Sequence, residues 1–272
     1  MSAVSRWKTS LNRALAEHPG STGEYSVYSA IEKQLSDATL ACSVAFQLAS
    51  IDPTGRNPHV RSHIFRDFIY SSSAGESLPL LVTTTDIRTP KVAQITSNPH
   101  VELAWWIDGT KEQYRISGVA HIVPEPNNSV YTQFLHATQS SSLATANASP
   151  ESAIALLGKE RFDWQAKRLE VFKTMSGHMR ASWCRPIPGS PLPGGLEEAK
   201  KWPETVTAPS DEDSAEEKAR KQKLWDLAYT NFALLVIDPV EVDYVTMEVV
   251  PNRRWRNTKN ANGKWDEQEV VA

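Results

Sequence analysis

Cysteine is nearly missing from this chain, with only Cys42 and Cys184 among 272 residues. The two are far apart and lack any metal-ligand spacing, which argues against both a zinc cluster and a disulfide framework and fits a reducing compartment. No run approaches the roughly 18 apolar residues that a membrane helix needs. The N-terminus has no apolar signal core, so a soluble, cytoplasmic protein is expected, with no membrane partner. Charge of neither sign is in excess: 29 Lys and Arg stand against 32 Asp and Glu, a net charge of −3. That balance argues against a nucleic-acid surface, which usually shows clustered basic excess. Also missing are a Gly-rich nucleotide loop, a Gly-x-Ser-x-Gly elbow and a His-Glu-x-x-His helix. The chemistry must therefore come from a borrowed group, and no catalytic residue or metal ligand is assigned.

What is present is concentrated between Pro58 and Gly118. His59–Phe68 has the imperfect alternation of a half-buried strand and carries Arg61 and Arg66. Leu78–Thr83 is an apolar strand giving way to a hydroxyl-rich turn, Thr84-Thr85-Asp86-Ile87-Arg88-Thr89-Pro90-Lys91. Hydroxyls, backbone N–H groups and cations gathered at a strand end suit a phosphate monoester. Val101–Ile107 and Gln113–Val123 form an antiparallel pair about the turn Asp108-Gly109-Thr110. Alternation then puts Tyr114, Ile116, Gly118, Ala120 and Ile122 on one face, and Gln113, Arg115 and Ser117 on the other. His59 and His63 have no carboxylate partner at a readable spacing, so both read as structural or solvent-facing.

The flanks are plainer. Trp7, Leu11, Ala14 and Leu15 have helical spacing, closed by His18-Pro19-Gly20, and open a helical segment of about 5–37 with a second helix over Tyr25–Leu35. Cys42–Ile51 alternates as a strand ending at Asp52-Pro53-Thr54-Gly55. A short helix is expected at Val130–Ala137, then a polar loop over Thr138–Pro150. Glu151–Met179 has a helical pattern whose Trp164, Phe172, Met175 and Met179 read as core packing. A flexible acidic insertion is expected over about 190–220. Phe232–Ile237, a turn at Asp238-Pro239, Val242–Val250 and a hairpin about Asn262-Gly263 return the chain to strands, and Arg253, Arg254 and Arg256 precede that hairpin. The 40% hydrophobic content suffices for a sizeable core, and one domain over 1–272 with insertions is preferred.

The ordered pieces Pro58-His59-Val60-Arg61 through Arg66, Thr85-Asp86-Ile87-Arg88-Thr89-Pro90-Lys91, Asn98-Pro99 and Glu112-Gln113-Tyr114-Arg115-Ile116-Ser117-Gly118 resemble the pyridoxamine 5'-phosphate oxidase-like FMN-binding split barrels. The resemblance implies a mainly β fold with flanking helices, a Greek-key-like antiparallel split barrel. It also implies a homodimer with FMN at the interface, acting on a small-molecule substrate. By the same resemblance Arg61 and Lys91 hold the FMN phosphate, and Thr84, Thr85 and Thr89 bond the phosphate or ribityl chain. Arg88 adds charge, Gln113 contacts the isoalloxazine, and Ser62, Ile64 and Arg66 complete the cradle. Arg254 and Arg256 return over the flavin from the C-terminal strand. Two departures count against the vitamin B6 reaction. Pro90 stands where the established oxidases carry arginine, and their C-terminal Arg-Leu-His-Asp-Arg segment is missing. Three functions follow in order: an FMN-dependent oxidoreductase, a flavin carrier without turnover, and a pyridoxamine or pyridoxine 5'-phosphate oxidase.

Overall fold

The computed structural model describes residues 4–17, 45–139 and 152–272. The expected helix over Tyr25–Leu35, Cys42 and most of the Thr138–Pro150 loop lie outside these residues. Helix α1, Arg6–Glu17, buries Trp7, Leu11, Ala14 and Leu15, the stripe that its spacing predicts. Strands β1 (Ala45–Ile51) and β2 (Pro58–Ile64) make a hairpin. The Asp52 carboxylate organises its turn, accepting from Thr54 Oγ1 at 2.8 Å and Asn57 Nδ2 at 2.7 Å, and Gly55 takes φ +73°.

The segment His59–Phe68 is not one strand. After β2 the chain bends at Phe65-Arg66 and resumes as β3, Asp67–Ile69. β3 pairs with β4, Leu80–Asp86, whereas β2 pairs with β1. Adding β5 (His100–Ile107), β6 (Glu112–Val123) and β7 (Phe232–Thr246) gives the order β2-β1-β5-β6-β7-β4-β3. β2 and β3 are adjacent in sequence but lie at opposite ends of that order, so the sheet curls back on itself, and the Arg66 N–H donates to Val82 O at 2.8 Å. β8 (Arg253–Lys259) and β9 (Trp265–Val270) extend the sheet beyond β7.

Three further differences have local causes. Thr84 and Thr85 belong to β4 itself, and a helix follows at once: α2, Pro90–Ser97, has Thr89 at its N-cap and Pro90 in the first turn, where a missing N–H costs nothing. Asp238-Pro239 is not a turn, since β7 runs through it for 15 residues. The register slips there: Ser117 pairs with Glu241 but Gly118 with Pro239, so Val240 is bulged out and proline is tolerated. Only glycine fits opposite, because a Cβ on Gly118 would lie 2.6 Å from Asp238 O. The helical pattern of 151–179 is also broken. After α3 (Tyr131–Gln139) come α4 (Ala153–Lys159), α5 (Trp164–Thr174) and α6 (Gly177–Ser182). Asp163 and Ser176 cap α5 and α6 by accepting from Ala166 N and Met179 N.

The segment 190–220 contains α7, Gly195–Ala199, and the first turns of α8, Ala215–Asn231. Ser214 caps α8 by accepting from Glu217 N at 3.2 Å, a Ser-x-x-Glu start written inside the acidic run. No helix among the described residues is long and apolar enough to cross a membrane.

Two cores share one sheet. Leu81, Leu103, Ile116, Leu235 and Ile237 pack inside the curled sheet with α1 over one opening. Leu80, Val82, Leu234, Val236 and Phe232 face the other way, against Trp164, Val171 and Phe172 of α5 and Trp183. Trp164, Phe172 and Met175 are core residues, as their spacing predicts. Beneath α1 the fully buried Glu112 carboxylate accepts from Tyr244 Oη (2.6 Å), Arg13 Nη2 (2.7 Å), Thr110 Oγ1 (2.9 Å) and Tyr114 Oη (3.0 Å). Glu112→Ala leaves three buried hydroxyls and the Arg13 contact without their acceptor. It is expected to lower stability by about 2–4 kcal/mol, read as a reduced urea midpoint at unchanged slope.

Candidate functional site

Alternation along β2 separates the predicted residues. Arg61 and His63 pair opposite Leu48 and Phe46 and point inward, whereas Ser62 pairs opposite Gln47 on the outer face. The Arg61 guanidinium donates to Ser50 Oγ at 2.9 Å and to Gln94 Oε1 at 2.7 Å, and Ser50 Oγ donates to the same Gln94 oxygen at 2.9 Å. Both partners are neutral. Gln94 is one helical turn beyond Lys91, so α2 delivers Lys91 to the same end of the sheet. Burial, and then the charge of Arg61, push the Lys91 amine down to about 8, with Asp86 pulling the other way. Burial likewise lowers Arg66 to about 10, and its Nε is buried without a partner. Among the described residues Arg61, Arg66 and Lys91 have no carboxylate within ion-pair distance.

His63 is not a base. Its ring stacks on Phe46 at 5.9 Å, and burial, then the charges of Lys91 and Arg61, drive it down to about 3, so it is neutral at physiological pH. Thr83 Oγ1 donates to Ile64 O at 2.7 Å, which leaves the 3.3 Å contact with His63 Nδ1 to be made by a His63 N–H. His63 Nε2 is then a buried acceptor with no donor. His59 is exposed.

The turn after β4 divides in the same way. Thr85 pairs opposite Ala233, on the inner side, and its hydroxyl is 3.4 Å from that of Thr89, which itself donates to Asp86 O at 2.8 Å. Thr84, opposite Leu234, faces the helical layer. Arg88 has partners of its own. It donates from Nε and Nη2 to the two Asp86 oxygens at 2.9 and 2.6 Å, and further to Arg185 O at 2.9 Å and Trp183 O at 3.3 Å. Asn231 Nδ2 donates to the same Trp183 carbonyl, and Asn231 O accepts from Ile87 N. Arg88 therefore latches the turn to the helical layer.

Gln113 stands on the outer face of β6, opposite Trp106, with Val245 and Arg254 continuing the row. Asp243 in the neighbouring row binds Arg254 through both oxygens, at 2.8 and 2.6 Å, and Arg115 at 2.7 Å. Partial burial opposes ionisation there, but the two arginines overcome it and hold the carboxyl below its usual range. Arg256 is half-exposed, with Glu241 at 3.7 Å. Thus Arg61, Thr85, Thr89 and Lys91 collect at one end of the curled sheet and Arg66 sits at its bend. Ser62, Ile64, Gln113, Arg254 and Arg256 belong to its outside. Ser50, Gln94 and Trp106 were missed. The Trp105-Trp106 doublet was a readable signal for the last, because in an alternating strand one of two adjacent tryptophans must face out; Trp105 is fully buried and Trp106 is 40% exposed.

Residues 5–124 match the family model described as pyridoxamine 5'-phosphate oxidase, FMN-binding domain, a stretch that ends with β6. Pyridoxine/pyridoxamine 5'-phosphate oxidase 2 of Arabidopsis thaliana is 31% identical over 101 residues, 37% of this chain and 46% of that protein, so the chain spans under half of that relative's length. A pyridoxamine 5'-phosphate oxidase-related, FMN binding protein of Nostoc punctiforme has the same fold, with a TM-score of 0.61 at 22% identity over 99% of this chain and 100% of that one. Segment 5–124 is thus similar to the FMN-binding domain of the pyridoxamine 5'-phosphate oxidases. Arg254 and Arg256 lie beyond the matched stretch.

The latch and the bare cations make opposite predictions for the ligand-free protein. Arg88→Ala strips a buried carboxylate of its partner and should lower stability by about 3 kcal/mol or more. Lys91→Met removes a desolvated, repelled charge and should raise it by up to about 1–2 kcal/mol. Chemical denaturation of both variants beside the wild type reads the two signs.

Proposed function

We propose that this protein is an FMN-dependent oxidoreductase acting on a small organic substrate, working in the cytoplasm as a homodimer of split barrels with the cofactor at the interface. The observation that carries this reading is the set of partly buried cations without an anion among the described residues. A desolvated charge is costly unless paired, and here Arg61 and Lys91 gather with the Thr85 and Thr89 hydroxyls at one end of the sheet, with Arg66 at its bend. A phosphate monoester supplies the anion that this arrangement lacks.

When bound, FMN supplies hydride acceptance and delivery, and the protein supplies orientation and charge. Arg61, held by Ser50 and Gln94, presents a fixed guanidinium, and Lys91 adds a second cation from the first turn of α2. The carboxamide of Gln113 both donates and accepts, and so suits a ring edge that carries both kinds of group. Neutral His63, its N–H taken by Thr83 Oγ1, adds no charge. With Arg88 committed to Asp86, local positive charge comes from Arg61 and Lys91, and by the resemblance Arg66 stands where the family's oxidases carry a lysine near the substrate. Exposed Val60 and Trp106, at 62% and 40%, support the outer face as the surface a second copy would cover.

The purified or reconstituted protein should show flavin absorbance stoichiometric with the chain and should sediment as a dimer. Arg61→Ala and Lys91→Ala should each weaken FMN binding by about 1–3 kcal/mol without loss of fold, and His63→Ala much less. The phosphate is a dianion well above its second pKa of about 6, so near pH 8 Lys91 is the site cation that changes charge, with Arg66 following only near 10. FMN binding favours protonated Lys91, hence affinity should hold at neutral pH and decline as pH rises through about 8. Flavin fluorescence titration checks all of these; wild-type affinity in both cation variants would defeat the assignment.

A further inference from the structure

A cleft in the helical layer shares no residue with the cation site. It has a volume of about 440 Å³ and lies between the segment after α7 and the first turns of α8, with Lys201, Trp202, Thr205, Thr207, Arg220 and Leu224 on its lining. Local structure fixes both walls. Val206 is 1% exposed and its N–H donates to Gly177 O at 3.0 Å, while His178 Nδ1 donates to Glu204 O at 2.9 Å, so the segment is pinned to α6. Thr205 and Thr207, on either side of buried Val206, are exposed. On α8, Arg220 and Leu224 are one turn apart and share a face. Charge is unevenly matched here. The carboxylates of the acidic run are taken elsewhere: Glu197 by Lys200 at 2.6 Å, Glu198 by Gly194 N at 3.0 Å, Asp211 by Lys218 at 3.0 Å, and Asp213 and Glu217 by Lys221. Lys201 and Arg220 have no carboxylate within ion-pair distance among the described residues, although Glu204 is also on the lining. The Trp202 ring, half-buried, stacks on no other aromatic ring among the described residues, whereas every other tryptophan that is not exposed packs against one.

We propose that this cleft binds a nucleotide, with the base against Trp202 and Leu224 and the phosphates between Lys201 and Arg220, where the Thr205 and Thr207 hydroxyls donate to them. The site is independent of the flavin reading. An indole is a large planar surface on which any base can stack, and cations beside hydroxyls suit phosphate oxygens. The Glu204 carboxylate repels a phosphate and suits a sugar hydroxyl. The volume falls within the range of roughly 300–1,000 Å³ usual for small-molecule sites. A bare anion would leave the indole unused, and an apolar ligand would leave both cations unpaired.

Calorimetric titration of ADP, adenosine and inorganic pyrophosphate into wild type, Trp202→Ala, Trp202→Phe, the Lys201→Ala/Arg220→Ala double variant and Arg61→Ala, with circular dichroism as the folding control, tests the assignment. ADP should bind wild type more tightly than either fragment does. Trp202→Ala should weaken ADP and adenosine by about five- to tenfold and spare pyrophosphate, and Trp202→Phe, which keeps a stacking face, should recover most of the loss. The double variant should weaken ADP and pyrophosphate by about three- to tenfold and spare adenosine. Both of its positions are exposed, so it decides the matter even where Trp202→Ala fails to fold. Arg61→Ala should bind ADP as wild type does. Failure of wild type to bind ADP overturns the proposal. So does ADP binding that Arg61→Ala abolishes and the double variant leaves intact, because the nucleotide is then held in the cation site. Pyrophosphate binding as tight as that of ADP, unchanged in Trp202→Ala, overturns it in favour of a simple anion site.

Discussion

One strand carries both cores. The first half of β7 pairs with β4 and its second half with β8, while β6 runs beside it throughout. Ala233, Leu235 and Ile237 fill the curled sheet, and Phe232, Leu234 and Val236 fill the helical layer. A strand buried on both faces cannot slip by one residue without exchanging its two hydrophobic sets, so β7 fixes the register of β4. The end of β4 is where the cation site begins. The positions of Thr85, Asp86 and the first turn of α2 thus follow from packing that never touches them.

The net charge of −3 conceals this site. What matters is how charges are paired: Arg88, Arg115 and Arg254 are neutralised by Asp86 and Asp243, whereas Arg61, Arg66 and Lys91 have no such partner among the described residues. Three partly buried positive charges without counter-charges among the described residues are a burden on folding. Their retention in a protein only marginally stable is the kind of local conflict expected at a binding site.

The sequence made the strands legible wherever turn residues bounded them, as at Asp52–Gly55, Asp108–Thr110 and Asn262-Gly263, whereas the pairing of Arg61 with Lys91 was implied only by the resemblance. It misled where a local signal was overruled from a distance. Asp238-Pro239 reads as a turn, but Gly118 opposite gives the bulge room, and Lys259, Ser152 and Ala153 N satisfy the Asp238 carboxylate. Helix α2 is short enough for its proline to look like a loop residue. Arg88 could not be told from Arg61, because the carbonyls that claim it come from Trp183 and Arg185, nearly a hundred residues on. Ser50 carries no signal in the chain. Its role comes from pairing across β1.

The Arg88 latch makes the two ends of the sequence answerable to one another. It ties the turn that leads into α2 to the carbonyls of Trp183 and Arg185, while Asn231 grips that turn from the end of α8. Any anion that steadies the turn must steady those attachments by the same free energy, because coupling between two sites is reciprocal. Helices that touch no ligand would then share in its affinity. Sequence drift at Trp183 or Asn231 could tune occupancy of the cation site over generations while every residue lining it stayed the same.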